Sequence, residues 1–564
     1  MAIAELSPTV SDTPSSAPRG AGCGLLWAAM AISALVLMPL AALVWQAAHG
    51  SAGLWSHLAA YVLLPALGQT AILLAGVGTL VIVLGTTMAW LVTAFDFPGR
   101  RILEWALLLP LAMPTYIIAY AYLDLLHPLG PVQETLRAIL GFDSPRAFRL
   151  PDIRSMPGAI LLIGFVLYPY VYLPVRAMFL MQAANLIEAG RMLGCSRRTV
   201  FLRLAVPLAR PGIAAGAALA LMEALNDIGA SEFLGVNSLT VSIYTTWVTR
   251  SDLSGAAQIA LALLVLVVLL LSVELWARRN QRFAGNAQRS GSIVPGRLSG
   301  AWAAAALTLG LLPVAIGFGA PALYLFSEAL QRWQTAGIPA ALLLETRNTL
   351  LMASVATLLV LVCGTVVAYA GRALPGRTAG LTGRIAGLGY AMPGTVIAIG
   401  VLIPVAGLDR MLDLGAKLAF GLPLGLVLIG SGAALAYAYT VRFLAIGAGS
   451  VEAGFNRIPR SLDHAARSLG HGPGASFRRL HLPLSRAALA AAALLVFVDA
   501  MKELSATLLL RPLNFETLAT RLYGEAARGT HEDGAMAAVA IVLAGIAPVI
   551  LLARIGRRGR QAPV

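Results

Sequence analysis

Charge is scarce in this sequence. Asp, Glu, Lys and Arg supply 12% of 564 residues, about half the share of a soluble domain, so the chain lacks the polar shell that water requires. Cysteine is scarcer: Cys23, Cys195 and Cys363 form no CxxC and have no His-rich neighbourhood, which excludes a disulfide framework or a zinc site of the usual spacing. There is no GxxxxGK[ST] loop, so the chain has no phosphate cradle of its own for a nucleotide. HExxH and Gly-x-Ser-x-Gly are also missing, and the seven histidines are scattered, which leaves no motif for a hydrolase. The N-terminal residues lack the basic start of a signal peptide, and the apolar run after them is long enough to span.

Apolar length is abundant. Hydrophobic residues make up 58% and the mean hydropathy is +0.80. Runs of about 20 residues, enough to cross a bilayer, predict an all-α polytopic protein of twelve spans: 24–47, 66–94, 102–126, 158–180, 212–233, 256–276, 301–326, 348–371, 385–408, 421–445, 487–510 and 534–553. With the N-terminus inside, the inner segments hold 26 Lys and Arg against 10 outside, which puts both termini in the cytoplasm. The same bias explains most of the net charge of +15. It is an orientation signal, not a nucleic-acid footprint, and no nucleic-acid motif is present.

The chain repeats itself. Gln69-Thr70 returns as Asn348-Thr349, Gly85-Thr86 as Gly364-Thr365, and Met113-Pro114 as Met392-Pro393, all at an offset of 279; Pro207 returns as Pro483 at 276. Six spans per copy give both copies one orientation, a parallel repeat about an axis along the membrane normal. The expected domains are a disordered tail (1–23), a first transmembrane domain (24–280), a cytoplasmic linker (281–299), a second transmembrane domain (300–556) and a basic tail (557–564). The paired Met-Pro steps are candidates for bends in a gate or for ordinary proline kinks.

Between the fourth and fifth spans of each copy lies a basic, Gly-punctuated loop: Glu188 to Pro207 and His464 to Pro483. Gly194 and Gly470 suit a left-handed turn after a helix. Ser196 can cap a second helix and Pro473 can sit in its first turn. A helix–turn–helix across the cytoplasmic mouth of the bundle is expected. The first loop reads Glu188, Ala189, Gly190, Gly194, nine residues, Leu204, Val206, Pro207; the second reads His464, Ala465, Ala466, Gly470, nine residues, Leu480, Leu482, Pro483. This resembles the EAA motif of importer permeases of the ATP-binding cassette class, with MetI-like architecture. Gly190 and His464 depart from the pattern, and His464 removes the usual acid from the second copy.

The resemblance implies that these loops are coupling helices on a separate, homodimeric ATPase, which alone binds ATP and Mg2+. Arg197, Arg198, Arg478 and Arg479 are the expected docking charges. A secondary transporter would leave the paired loops without a purpose.

After each loop an apolar span carries acids: Glu223 and Asp227 in the first copy, Asp499 and Glu503 in the second, superposed at 276. At i, i+4 both carboxylates of a pair would share one helical face. Glu223 stands about 18 Å along the helix from Pro211, near mid-bilayer, where ionisable groups face a cavity or a partner. One reading is structural, with Lys502, Arg176 or Arg442 neutralising the acids or a carboxylate capping a broken helix. The other is a cation path in which the four carboxylates are candidate ligands of a hard metal ion, with Tyr244, Tyr523 and Glu232 as further members.

The strings KELSATLLLRP (502–512), FETLATRLY (515–523), MEALNDIGASEFLGV (222–236) and LTVSIYTTW (239–247) are similar to ferric-iron importer permeases. This implies a bacterial inner-membrane pore for iron(III), fed by a periplasmic ferric-binding protein. Permeases for thiamine, phosphonates and polyamines share parts of these strings and remain alternatives.

Overall fold

The computed structural model describes residues 19–50, 53, 55–181, 192, 194–278, 295–374 and 376–558. Among these, eight helices are long and apolar enough to cross a membrane, and four bent pairs bring the number to twelve. Most are apolar all round, so they need lipid or neighbouring helices on every side. Exposed tryptophans fall in two sets: Trp27, Trp276 and Trp302 at one end of their helices, Trp45, Trp55 and Trp333 at the other. Such girdles mark the two interfaces of a bilayer.

Two of the expected spans are displaced. The runs 385–408 and 421–445 are instead the helices Gly394–Phe420 and Ala433–Asn456. Met392-Pro393 separates a preceding helix, Arg377–Ala391. Gly421, Gly425 and Gly432, with φ of 68°, 67° and 83°, leave room only for the one-turn helix Val427–Gly430 before Ala433; side chains other than glycine rarely adopt that geometry. The equivalent Met113-Pro114 separates Arg100–Ala112 from Thr115–Leu125 with a bend of 90°.

The repeated dipeptides do matching work. A Cβ on Gly85 would lie 2.9 Å from the Tyr168 carbonyl, and one on Gly364 2.8 Å from the Ala448 nitrogen. Small residues at these crossings let two helix backbones approach. Thr70 Oγ1 accepts from the Leu239 amide at 3.0 Å, and Thr349 Oγ1 from the Leu518 amide at 2.9 Å. Each caps the short helix after its broken span, Leu239–Tyr244 or Leu518–Arg528.

The halves exchange their first spans. Val36 of Arg19–Ala48 joins the core built from 352–510, whereas Ala303, Ala306 and Val314 join the core built largely from the first half. Close approach is again through glycine: a Cβ on Gly400 would meet the Pro39 carbonyl at 2.4 Å, and one on Gly317 the Phe165 carbonyl at 2.4 Å. The only strands among the described residues, Phe95–Asp96 and Gly296–Arg297, pair in parallel and tie the inter-half segment to the first half.

Candidate functional site

The spans carrying the acids are broken between them. Arg210–Asn226 stops at Asp227, whose extended backbone starts Ile228–Phe233; its Oδ1 accepts the Ala230 amide at 2.9 Å. Arg486–Met501 stops likewise, and Glu503 Oε1 accepts the Ala506 amide of Ser505–Leu510 at 3.1 Å. The expected i, i+4 arrangement on one helical face is therefore corrected. The second acid of each pair leaves the first helix to satisfy the free amides of the next, as a cap does.

The breaks nevertheless bring all four acids to one cavity. About 90 Å³ in volume, it is lined by Glu223, Asn226, Asp227, Tyr390, Arg442, Asp499, Lys502, Glu503 and Ser505, with Met113, Pro114 and Thr115 of the first Met-Pro break and Tyr116 and Tyr170. That is room for a few waters or a small, partly hydrated ligand.

Both halves close it. Arg442 Nη1 donates to Asn226 Oδ1 at 2.7 Å, the Gly394 amide donates to the same oxygen at 2.7 Å, and Ser505 Oγ donates to the Asn226 carbonyl at 2.6 Å. The Tyr390 hydroxyl donates to Glu223 Oε1 at 3.1 Å.

The ion pairs are uneven. Arg442 Nε lies 3.1 Å from Glu503 Oε2, and Lys502 Nζ 2.8 Å from Asp499 Oδ1. Two of the three foreseen cations thus do the pairing; Arg176 instead meets Glu104 at 3.1 Å. Among the described residues no three His, Cys, Asp or Glu side chains come close enough to hold a metal ion. The tentative ligand set Glu223, Asp227, Asp499 and Glu503 is corrected on that point: the carboxylates surround a space without converging, because cations and amides hold three of them apart.

Glu232 and the outer tyrosines stand away from this cavity. The Tyr523 hydroxyl donates to Glu232 Oε2 at 2.5 Å, stacks on Phe233 with centroids 5.6 Å apart and meets the Tyr244 ring edge at 6.1 Å. These contacts join the halves on the face opposite the basic loops.

The basic loops fold as expected where they are described. Gly194 and Gly470 take φ of 80° and 78°. Ser196 caps Arg197–Val200 by accepting the Thr199 amide, and Pro473 opens Pro473–Ser476. The limbs that follow, Arg197–Leu208 and Pro473–Leu484, bend by 68° and 72° into the acid-bearing spans. Arg197, Arg198, His464, Ala465, Arg478, Arg479 and Pro483 are exposed, while Ala466 and Pro207 are half-buried. Glu188 and Ala189 lie outside the described residues. Each limb packs on its second span through one aromatic pair, Trp90 with Phe201 at 5.1 Å and Tyr369 with Phe477 at 4.9 Å.

Sequence reading missed Asp463, Asn226 and Tyr390. Asp463 immediately precedes the His464 that breaks the motif, and it makes the ionic contacts that His464 does not. Asn226 was legible as the position matching Lys502 at the 276 offset.

Residues 81–282 match the family model described as binding-protein-dependent transport system inner membrane component. The Fe(3+)-transport system permease protein FbpB 2 of Haemophilus influenzae is 24% identical over 497 residues, 86% of this chain and 89% of that protein. The molybdenum transport system permease protein ModB of Escherichia coli K12 is 28% identical over 204 residues, 35% of this chain and 86% of that protein. The putative 2-aminoethylphosphonate transport system permease protein PhnU of Salmonella typhimurium is 29% identical over 195 residues, 34% of this chain and 67% of that protein.

Proposed function

We propose that this chain, which carries a domain of the binding-protein-dependent transport permeases over residues 81–282, forms the complete translocation path for iron(III) across a bacterial inner membrane. A periplasmic binding protein delivers the ion, and a separate homodimeric ATPase drives the cycle from the cytoplasmic side. The basic helix–turn–helix of each half docks on one ATPase copy. Closure of the ATPase dimer moves the two limbs together, and the 68° and 72° bends pass that movement to the acid-bearing spans. A rigid-body push of this kind can switch which side of a shared passage is open.

The observation that carries this reading is the cavity: one polar space at the junction of the halves, opened by matching helix breaks and lined by four carboxylates against two cations. Hard oxygen donors suit a hard cation, and similarity to an iron(III) permease extends through both halves. Arg442 and Lys502 favour a second reading, a small oxyanion; the relatives that cover about a third of this chain are named for molybdenum and 2-aminoethylphosphonate transport. Uptake of radiolabelled iron(III) and of molybdate, in cells carrying or lacking the gene for this chain, separates them. Iron(III) uptake lost on deletion and restored by the gene supports the first; unchanged iron(III) uptake with lost molybdate uptake refutes it.

A further inference from the structure

The basic loop of the second half is fastened by a polar knot with no equivalent among the described residues of the first. Asp463, on Arg460–Ser468, stands between Arg372 and His481: Arg372 Nη2 donates to its Oδ2 at 2.7 Å, and His481 Nε2 lies 2.7 Å from its Oδ1. Arg372 lies in the last turn of the helix Ala340–Ala373 and also donates to the carbonyls of Phe455 and Ile458, at 2.5 and 2.8 Å, where Ala433–Asn456 finishes. His481 is 2% exposed, its Nδ1 lies 3.2 Å from the Ser476 carbonyl oxygen, and the Tyr369 and Phe455 rings enclose it at 5.3 and 5.7 Å. The Tyr369 hydroxyl donates to the Pro473 carbonyl at 2.7 Å. Two spans and both limbs of the loop therefore meet at one half-buried carboxylate. At the repeat offsets, Thr93 takes the place of Arg372 and Ala205 that of His481. Thr93 Oγ1 bonds within its own helix, to Ala89. The first loop leans instead on the inter-half strand: the Arg197 guanidinium lies 5.2 Å over the Phe95 ring, beside the Phe95–Gly296 pairing.

We infer that Arg372, Asp463 and His481 are positioning residues for energy coupling: they lock the two limbs of the second loop into one rigid lever, so that a push on its exposed tip reaches the Asp499–Glu503 break without being lost in bending. The brace itself depends only on this chain. Its use in coupling rests on the ATPase reading above.

Two variants of the full chain in lipid nanodiscs test the brace: His481→Phe, which keeps a ring but no polar nitrogen, and His481→Gln, which returns a donor. Amide exchange reads local opening directly. Residues 460–484 should exchange about tenfold faster in H481F, a change of about 1.4 kcal/mol. H481Q should recover to within about threefold of the parent, and residues 197–208 should not change in either. Unchanged exchange of 460–484 in H481F overturns the brace. If H481F does not fold, Asp463→Asn is read in the same way.

In the complex with its ATPase, H481F should keep co-purification and the KM for ATP, yet lose about fivefold of the hydrolysis stimulated by iron(III)-loaded binding protein. A loosened lever with full stimulation overturns the positioning role. Failure of the unaltered chain to bind an ATPase overturns the proposed function instead, and leaves the exchange result standing.

Discussion

The two acid-bearing breaks are copies of one design with different charges. The first half offers Glu223, Asn226 and Asp227; the second offers Asp499, Lys502 and Glu503 at the same positions. In the second half each acid has a cation, Lys502 at 2.8 Å and Arg442 at 3.1 Å. In the first half Glu223 accepts from the Tyr390 hydroxyl, with Arg442 and Lys502 near enough to act on its charge, and Asp227 accepts from Thr115 and from the amides of the helix it caps. Duplication thus kept the break and divided the labour. The second half holds its acids in ion pairs, and the first holds its acids with neutral donors.

Removing a partner should hurt the second half more. Arg442→Ala leaves Glu503 buried without its cation and removes one of the two cross-half donors to Asn226 Oδ1, a loss of about 3–5 kcal/mol. Tyr390→Phe removes one neutral donor from Glu223, a loss of about 1 kcal/mol. Thermal unfolding of the two variants in the same detergent checks this order; equal losses would erase the distinction.

Transport should show the opposite order. Glu223→Gln with Asp227→Asn should cut iron(III) uptake by tenfold or more, about 1.4 kcal/mol per decade. Asp499→Asn with Lys502→Gln removes a pair together and should stay within about threefold of the parent. Uptake by both double variants in cells with matched amounts of the chain decides between them.

A smaller effect separates the outer loops. Glu525 sits where the first half has Thr246. Burial pushes its carboxyl up, but Thr530, Arg528 and Arg521 outweigh that and hold it below its ordinary value of 4.5. A carboxyl lowered by folding adds stability above its ordinary pKa and loses it as the pH falls through the lowered folded value. Amide exchange across Leu518–Arg528, corrected for intrinsic rates, should therefore rise on acidification below about pH 4.5. Leu239–Tyr244 should stay flat over the same range.

Much of this fold was legible because a bilayer leaves few choices. Apolar length counted the spans, and the 279 offset of Gly-Thr and Met-Pro identified a repeat whose members do pack alike. The Gly194 and Gly470 turns followed from spacing alone. The exchange of first spans was not legible, since an apolar helix does not state which half it will cover. The breaks at Asp227 and Glu503 were legible only as one option, a carboxylate capping a broken helix, beside a continuous helix with both acids on one face. The local sequence suits a helix, and the acids gain more by capping a new one beside the cavity. Pairing was only partly readable: Lys502 lies three residues from Asp499, whereas Arg442 reaches Glu503 from another span.

The most direct measurement is ATP hydrolysis by the reconstituted complex of this chain with its ATPase, in the presence of binding protein loaded with iron(III) or with molybdate. An iron(III) path predicts stimulation by the iron-loaded protein, and its loss when Glu223 and Asp227 are neutralised. Stimulation by the molybdate-loaded protein, with the iron-loaded one silent, would contradict it.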